Sequence, residues 1–264
     1  MKISVIVVTL NAGDELKATV KSIVTQTYRD LEIIVKDGRS SDGSLKKLPD
    51  DERIRVVSRP DKGIYDAMNQ ALEEVSGDYV LFLNCGDYLY DEHAIETAVS
   101  YIDGPGLLVY GDIFDRSSGA RVASNPVIDE FALYRNVPCH QACIYDRNML
   151  LMHPFKTEYK VRADYEQFLW CYYIAKAKFV YTGSILSSYM GGGFSEQKEN
   201  RKISAAEHTD IAENYMPHKQ IVKYRRRMIM TMAPLRRVIA GNPVTGGIYN
   251  RIKSAIYKKK LSDS

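Results

Sequence analysis

The chain has 264 residues, 45% hydrophobic and 26% charged, with a formal net charge of +3, an ordinary globular composition that excludes disordered and collagen-like classes. No stretch approaches the roughly 20 apolar residues of a membrane span, and the length suits one large α/β domain with an extension, or two small domains. The charge is uneven: residues 216–264 carry twelve Lys or Arg against Asp263 alone, giving +11 and leaving −8 for residues 1–215.

Ile3–Thr9 is a near-continuous β-branched run and predicts a strand buried on both faces. It ends at Asn11, Gly13 and Asp14 with no cleavage pattern, so the N-terminus reads as a first strand and the protein as cytoplasmic. Asp14–Gln26 follows with Leu16, Val20, Ile23 and Val24 at helical spacing. Strands are predicted at Leu31–Lys36, Arg53–Ser58 and Tyr79–Leu83, and helices at Tyr65–Val75 and Glu92–Tyr101. This alternation predicts right-handed βαβ units, hence an α/β fold with a mostly parallel central sheet flanked by helices.

Ligands bind beyond the carboxyl ends of such strands. Unusual polar residues gather there: Thr9 and Asn11 after the first strand, Asp37 to Gly43 after the second, and Asn84-Cys85-Gly86-Asp87 after the fourth. The first turn lacks G-x-G-x-x-G, and no G-x-x-x-x-G-K-[ST] occurs, which argues against a Rossmann dinucleotide site and a P-loop.

Each polar residue has a functional and a bland reading. Asp37 suits either acceptance of a base-edge N–H or turn chemistry, with Ser41 or Asp42 as helix cap. In the block 59–72, Lys62 reads as a phosphate contact or an exposed lysine, Gly63 as a turn, and Asn69 as a ligand for the loop or the nucleotide. Asp87 beside Gly86 suits a hard divalent cation that takes most of its oxygens from a diphosphate; the alternative is a simple turn.

His140 suits a metal, a phosphate or sugar, or a satisfied core position. Asp164 opens an amphipathic helix and reads as a cap or as a general base beside an incoming hydroxyl. Gly191–Gly193 and Ser195 form a free loop of the kind that closes over a substrate. The four cysteines have no secreted-type spacing, and Cys139, His140 and Cys143 lack the second pair that a structural zinc site wants.

In this order the blocks VIVVTLNAGDEL, TQTYRDLEIIVKDGRSSDGS, RPDKGIYDAMNQAL, GDYVLFLNCGDYLY, HQACIYDR, RADYEQFLW and YMGGGFS resemble the family 2 glycosyltransferases of GT-A fold. The similarity covers residues 1 to about 200 and is greatest to bacterial capsule, colanic-acid and exopolysaccharide enzymes. It implies a metal-dependent, inverting transfer of a sugar from a nucleotide-sugar, a UDP-sugar by preference, to a hydroxyl of a growing lipid-linked surface polysaccharide. By the same resemblance Thr9, Asn11, Asp37, Asp42, Lys62, Gly63, Asn69 and Asn84 belong to the nucleotide-sugar pocket. Asp87 would hold Mg²⁺ or Mn²⁺, Asp164 would be the base, and His140 with Gly192, Gly193 and Ser195 would face donor phosphate or acceptor. Asn84-Cys85-Gly86-Asp87 stands where many relatives have DADD, and Ala163 where a Glu usually precedes the base.

These features predict a GT-A domain over residues 1–215 and a basic helical extension over 216–264. In the extension Ile221, Val222, Tyr224, Met228, Ile229 and Met232 fall on one side of a helix, and Ile248, Ile252 and Ile256 repeat the pattern before three lysines. Such helices suit an anionic bilayer, which predicts a peripheral protein at the inner face of the plasma membrane. Packing of the extension on the body or a partner is the other reading. Two rival functions are a nucleotidyltransferase acting on sugar phosphates and a non-catalytic protein binding anionic surfaces. Nucleic-acid binding fits the basic tail but not the acidic body.

Overall fold

The computed structural model describes residues 1–190, 198–231, 239 and 245–262. Its N-terminal half follows the periodicity. Strand β1 spans Ile3–Thr9, helix α1 Asp14–Val24, β2 Leu31–Asp37, β3 Ile54–Ser58, α2 Ile64–Leu72, β4 Tyr79–Phe82, β5 Tyr88–Leu89 and α3 Ala94–Val99. Helix α1 stops before Gln26, whose buried amide instead ties the backbone of Ser22, Asp91 and Ile95.

Beyond this lie β6 (Leu107–Asp115), β7 (Ala120–Val122), α4 (Glu130–Arg135), β8 (Cys143–Asp146), α5 (Arg147–Met152), α6 (Ala163–Tyr173) and β9 (Lys178–Tyr189). Helices α7 (Lys198–Tyr215), α8 (His218–Met230) and α9 (Gly246–Ser262) complete the described chain.

The strands form one sheet in the order β3-β2-β1-β4-β8-β6-β9-β5, with β7 paired to β6. The α/β architecture is as expected, but the sheet is mixed. Strands β3, β2, β1 and β4 run parallel, whereas β8 pairs antiparallel to both β4 and β6. Chain order alone does not reveal this, because β8 enters the sheet between two strands that precede it in sequence.

Both faces of the sheet are covered. Ile6 and Val8 of β1 join one core with α2, α6 and α8, while Ile3, Val5 and Val7 join the other with α1 and α3. Two-residue alternation therefore explains why every β1 position is buried.

The basic extension packs on the body. Ile221 and Tyr224 of α8 are buried in the first core, and the Tyr224 hydroxyl donates to Glu130 at 2.8 Å. Arg227 lies over the Phe131 ring, 4.0 Å from its centroid. The α8 stripe expected to face a bilayer thus packs largely on α4, although Ile229 remains exposed; Met232 lies outside the described residues. Helix α9 runs beside β7, with Lys253 Nζ donating to Ala123 O at 2.6 Å and Arg135 donating to the Tyr257 hydroxyl at 2.9 Å.

Candidate active site

Parallel pairing in the order β2-β1-β4 sets three strand ends side by side. Thr9 is in register with Asp37, and the turn after β4 is anchored to β1 by Leu83 N–H on Ile6 O (2.8 Å) and Cys85 N–H on Val8 O (3.2 Å). The loops after β1 and β2 are laced together. Gly38 N–H donates to Thr9 O, Asn11 N–H to Ser40 Oγ, Ser41 N–H to Asn11 Oδ1, and Gly13 N–H to Asp42 Oδ2. Asn11 and Arg39 take positive φ, 49° and 68°, to make these exchanges. Asn is suited to that region; Arg is not, so the loop must hold it there.

That lacing alters three expected roles. Asp37 has no exposed surface and accepts from Arg39 N–H, Ser40 N–H and the Ser58 hydroxyl. Burial works against its charge, yet the bonds from Ser40, Ser58 and Arg39 outweigh burial and hold the carboxyl below its usual range. Asp37 therefore shapes the loop, its carboxylate already held by three protein donors.

Asp42 is exposed and brought down to about 2 by Ser44 and then by the Gly13 amide, acting as a local cap. Asn69 donates to Phe155 O at 2.8 Å and accepts from Phe155 N–H at 2.9 Å, so its amide fixes the 155 loop rather than a nucleotide. Thr9 is buried with its hydroxyl beside the Cys85 thiol. Lys62 is exposed, and Gly63, at φ 131°, opens α2 where a side chain would be strained.

On the other side of the turn, four side chains from distant parts of the chain meet. Asp164, in the first turn of α6, lies with Oδ1 3.0 Å from the Tyr65 hydroxyl and Oδ2 3.5 Å from His140 Nδ1. His140 Nε2 is 2.9 Å from Asn84 Nδ2. With the Asn84 amide nitrogen as donor, the matching His140 tautomer accepts at Nε2 and turns its Nδ1 proton to Asp164. Burial raises the cost of the Asp164 charge, but His140, Arg162 and Tyr65 overcome it and leave the carboxyl below its usual range. Asp164 is thus ionised and a quarter exposed, the state a proton acceptor requires.

Its helix is well supported. Glu207 of α7 accepts the backbone N–H groups of Lys160, Val161 and Arg162 just before α6. Beneath it, the buried Glu166 is held by His153 and Lys156, and by the Tyr215 hydroxyl.

Asp87 differs from every carboxylate above. The turn is closed by its N–H on Asn84 O at 2.9 Å, yet its side chain accepts no hydrogen bond among the described residues. Burial lifts its carboxyl from 3.8 to about 6, against the opposing pull of His140 and Arg116. Asn84 Oδ1, in the same turn, is buried without a partner among the described residues. An uncompensated carboxylate and an orphaned amide oxygen within four residues are hard donors, and they fit a Mg²⁺- or Mn²⁺-like ion that draws further oxygens from a diphosphate and water. Among the described residues no group of three His, Cys, Asp or Glu forms a cage by itself.

The sequence reading missed Arg116 and Tyr65. Arg116, at the end of β6, bonds Gly86 O and lies over Tyr88 at 4.0 Å, placing a cation on the Asn84–Asp87 turn. No local signal marks it. Tyr65 stood in the predicted α2 pattern, but only the tertiary fold aims its hydroxyl at Asp164. Gly192, Gly193 and Ser195 lie outside the described residues. Cys143 is buried, its thiol donating to Cys139 O at 3.3 Å.

The mixed α/β sheet with helices on both faces, carrying these acids at its strand ends, is the architecture of the GT-A class. The chain belongs to Glycosyl transferase family 2, whose pattern it matches over residues 4–159. It is 34% identical over 177 residues to a PGL/p-HBAD biosynthesis glycosyltransferase of Mycobacterium bovis, covering 64% of this chain and 69% of that one. Its fold is like that of S. aureus TarS residues 1–349, with a TM-score of 0.64 at 19% identity over 85% of this chain and 69% of that one. It is equally like the mannosyltransferase PcManGT from Pyrobaculum calidifontis in complex with GDP-Man and Mn²⁺, with a TM-score of 0.64 at 16% identity, covering 99% and 82% of the two chains.

Proposed function

We propose that this glycosyltransferase moves a sugar from a UDP-sugar to a hydroxyl of a lipid-linked cell-surface saccharide, with inversion at the anomeric carbon. The observation that carries the reading is the pairing of an ionised, braced Asp164 with an Asp87 carboxylate that has no donor among the described residues. In one displacement the acceptor oxygen forms a bond to the anomeric carbon, the bond from that carbon to the diphosphate oxygen breaks, and the acceptor proton passes to Asp164. His140 and Tyr65 keep that carboxylate charged and oriented until the proton arrives.

Asp87 and Asn84 Oδ1 would hold a divalent cation, which when bound neutralises charge on the diphosphate. Arg116 adds fixed positive charge on the same turn. The TarS fold has been crystallised with UDP and with UDP-GlcNAc, and PcManGT with GDP-Man and Mn²⁺, which supports a nucleotide-sugar donor and a divalent ion here. The mycobacterial relative is named for PGL/p-HBAD biosynthesis, which supports a role in building a glycosylated product here. Calorimetry with UDP-sugars, GDP-sugars and nucleoside triphosphates, each with Mg²⁺ or Mn²⁺, tests the donor assignment. Cation-dependent binding of a UDP-sugar is expected; binding of triphosphates alone would refute it, and NMR of the product's anomeric proton checks inversion.

A further inference from the structure

The outer face of α9 is an apolar feature that the chemistry above leaves without a role. Ile248, Ile252 and Ile256 stand at successive four-residue intervals and are 63%, 57% and 54% exposed. Residues four apart share a helix face, so the three form a continuous apolar strip. Its opposite face is anchored: Asn250 and Tyr257 are buried, Lys253 reaches Ala123 O, and Tyr257 accepts from Arg135. The helix is therefore held against the body while the isoleucines point away from it.

Its surroundings are cationic. Arg251 is exposed beside the strip, and the same helix continues through Lys258, Lys259 and Lys260 in sequence. Residues 216–264 carry +11 against −8 for residues 1–215. A second copy of this chain would bring an equally basic helix to the strip and would be repelled. An apolar protein partner would need no such charge. Exposed isoleucines flanked by Arg and Lys match an interface where acyl chains lie next to anionic headgroups.

We infer that α9 is an interfacial helix that seats this enzyme on an anionic bilayer through Ile248, Ile252 and Ile256. It replaces α8 in the part expected from the sequence, because Ile221 and Tyr224 of α8 are already covered. Its location is consistent with use. The Lys253 ammonium donates to Ala123 O, and Arg135, which donates to Tyr257, stands five residues before His140. The bilayer plane would then pass beside the rim of the crevice, where a lipid-linked acceptor presents its hydroxyl. That last link rests on the proposed glycosyl transfer, whereas the membrane contact does not.

The test is co-sedimentation of the full chain with phosphatidylcholine vesicles, with and without about 30 mol% phosphatidylglycerol. Binding is expected only to the anionic vesicles, weakening as salt is raised. Ile252→Asp is expected to reduce the apparent partition coefficient at least about tenfold, and Arg251→Glu several-fold, since both positions are exposed. Thermal melting and UDP-sugar calorimetry on both variants serve as controls that involve no membrane. Unchanged vesicle binding by Ile252→Asp with native-like melting would overturn the assignment. So would a concentration-dependent dimer that Ile252→Asp abolishes, since that would make the strip a self-association surface. Loss of UDP-sugar binding in the wild-type chain would strike the donor reading and leave the vesicle result standing.

Discussion

Replacing Asp87 by Asn is expected to stabilise the unliganded protein while removing its hold on the donor. Burial raises the Asp87 carboxyl from 3.8 to about 6 in the folded chain. That is about two pH units, and each is worth about 1.36 kcal/mol, so ionisation at neutral pH costs the folded state up to about 3 kcal/mol. Partial exposure of the side chain lowers the expected gain to about 1–3 kcal/mol.

The pH window follows from the direction of the shift. Below about pH 4 the group is protonated in both folded and unfolded chains, and Asn and Asp are equivalent. Between about pH 4 and 6 the unfolded chain ionises first, so wild-type stability falls as pH rises; above that the penalty is constant. Urea unfolding in the presence of a chelator, at about pH 5 and about pH 8, measures the gap between the two proteins. It should narrow on acidification. Calorimetry should show donor affinity in Mg²⁺ or Mn²⁺ reduced at least about tenfold by Asp87→Asn. A variant no more stable than wild type at pH 8, with donor affinity intact, would refute the reasoning, because the side chain would then have a partner that relieves its burial.

Asp164→Asn keeps the shape of the base without its basicity, and turnover should fall about 10²–10⁴-fold with donor affinity nearly unchanged; normal rates would remove Asp164 from the base role. Tyr65→Phe deletes the hydroxyl 3.0 Å from Asp164 Oδ1. Since that bond favours the ionised carboxylate, the acidic limb of the kcat/KM profile should move to higher pH, with little change on the alkaline side. An unmoved limb would mean that His140 and Arg162 suffice. Asn69→Ala leaves the Phe155 backbone groups without their partner and should cost about 1–3 kcal/mol in urea unfolding, with donor affinity unaltered. Weakened donor binding at unchanged stability would return Asn69 to the nucleotide pocket.

Much of the first hundred residues was legible because the governing interactions are local. Apolar periodicity marked β1, α1, β2, β3, α2 and β4 to within three residues at each end, and β1 at both ends without a shift. The rule that ligands gather at the carboxyl ends of parallel strands then picked out Asn84 and Asp87, both of which carry oxygens without a donor among the described residues. Asp37 and Asn69 had the right residue types for nucleotide contacts, but type does not say which donor reaches a carboxylate first. Ser58 and the Phe155 backbone reach them from segments 21 and 86 residues away.

The sequence by itself determined that this is an α/β glycosyltransferase of family 2, with acids at its strand ends and a basic helical extension. Only the tertiary structure decided that β8 enters the sheet antiparallel beside β4, that Tyr65 and His140 converge on Asp164, that Arg116 covers the Asn84–Asp87 turn, and that α8 turns its apolar face inward while α9 leaves three isoleucines outside. The physical reason is the range of the interactions. Helix and strand periods are set by neighbours a few residues away, whereas the partner of a buried polar group, or the covering of an apolar face, is set by whichever distant segment the folded chain brings against it.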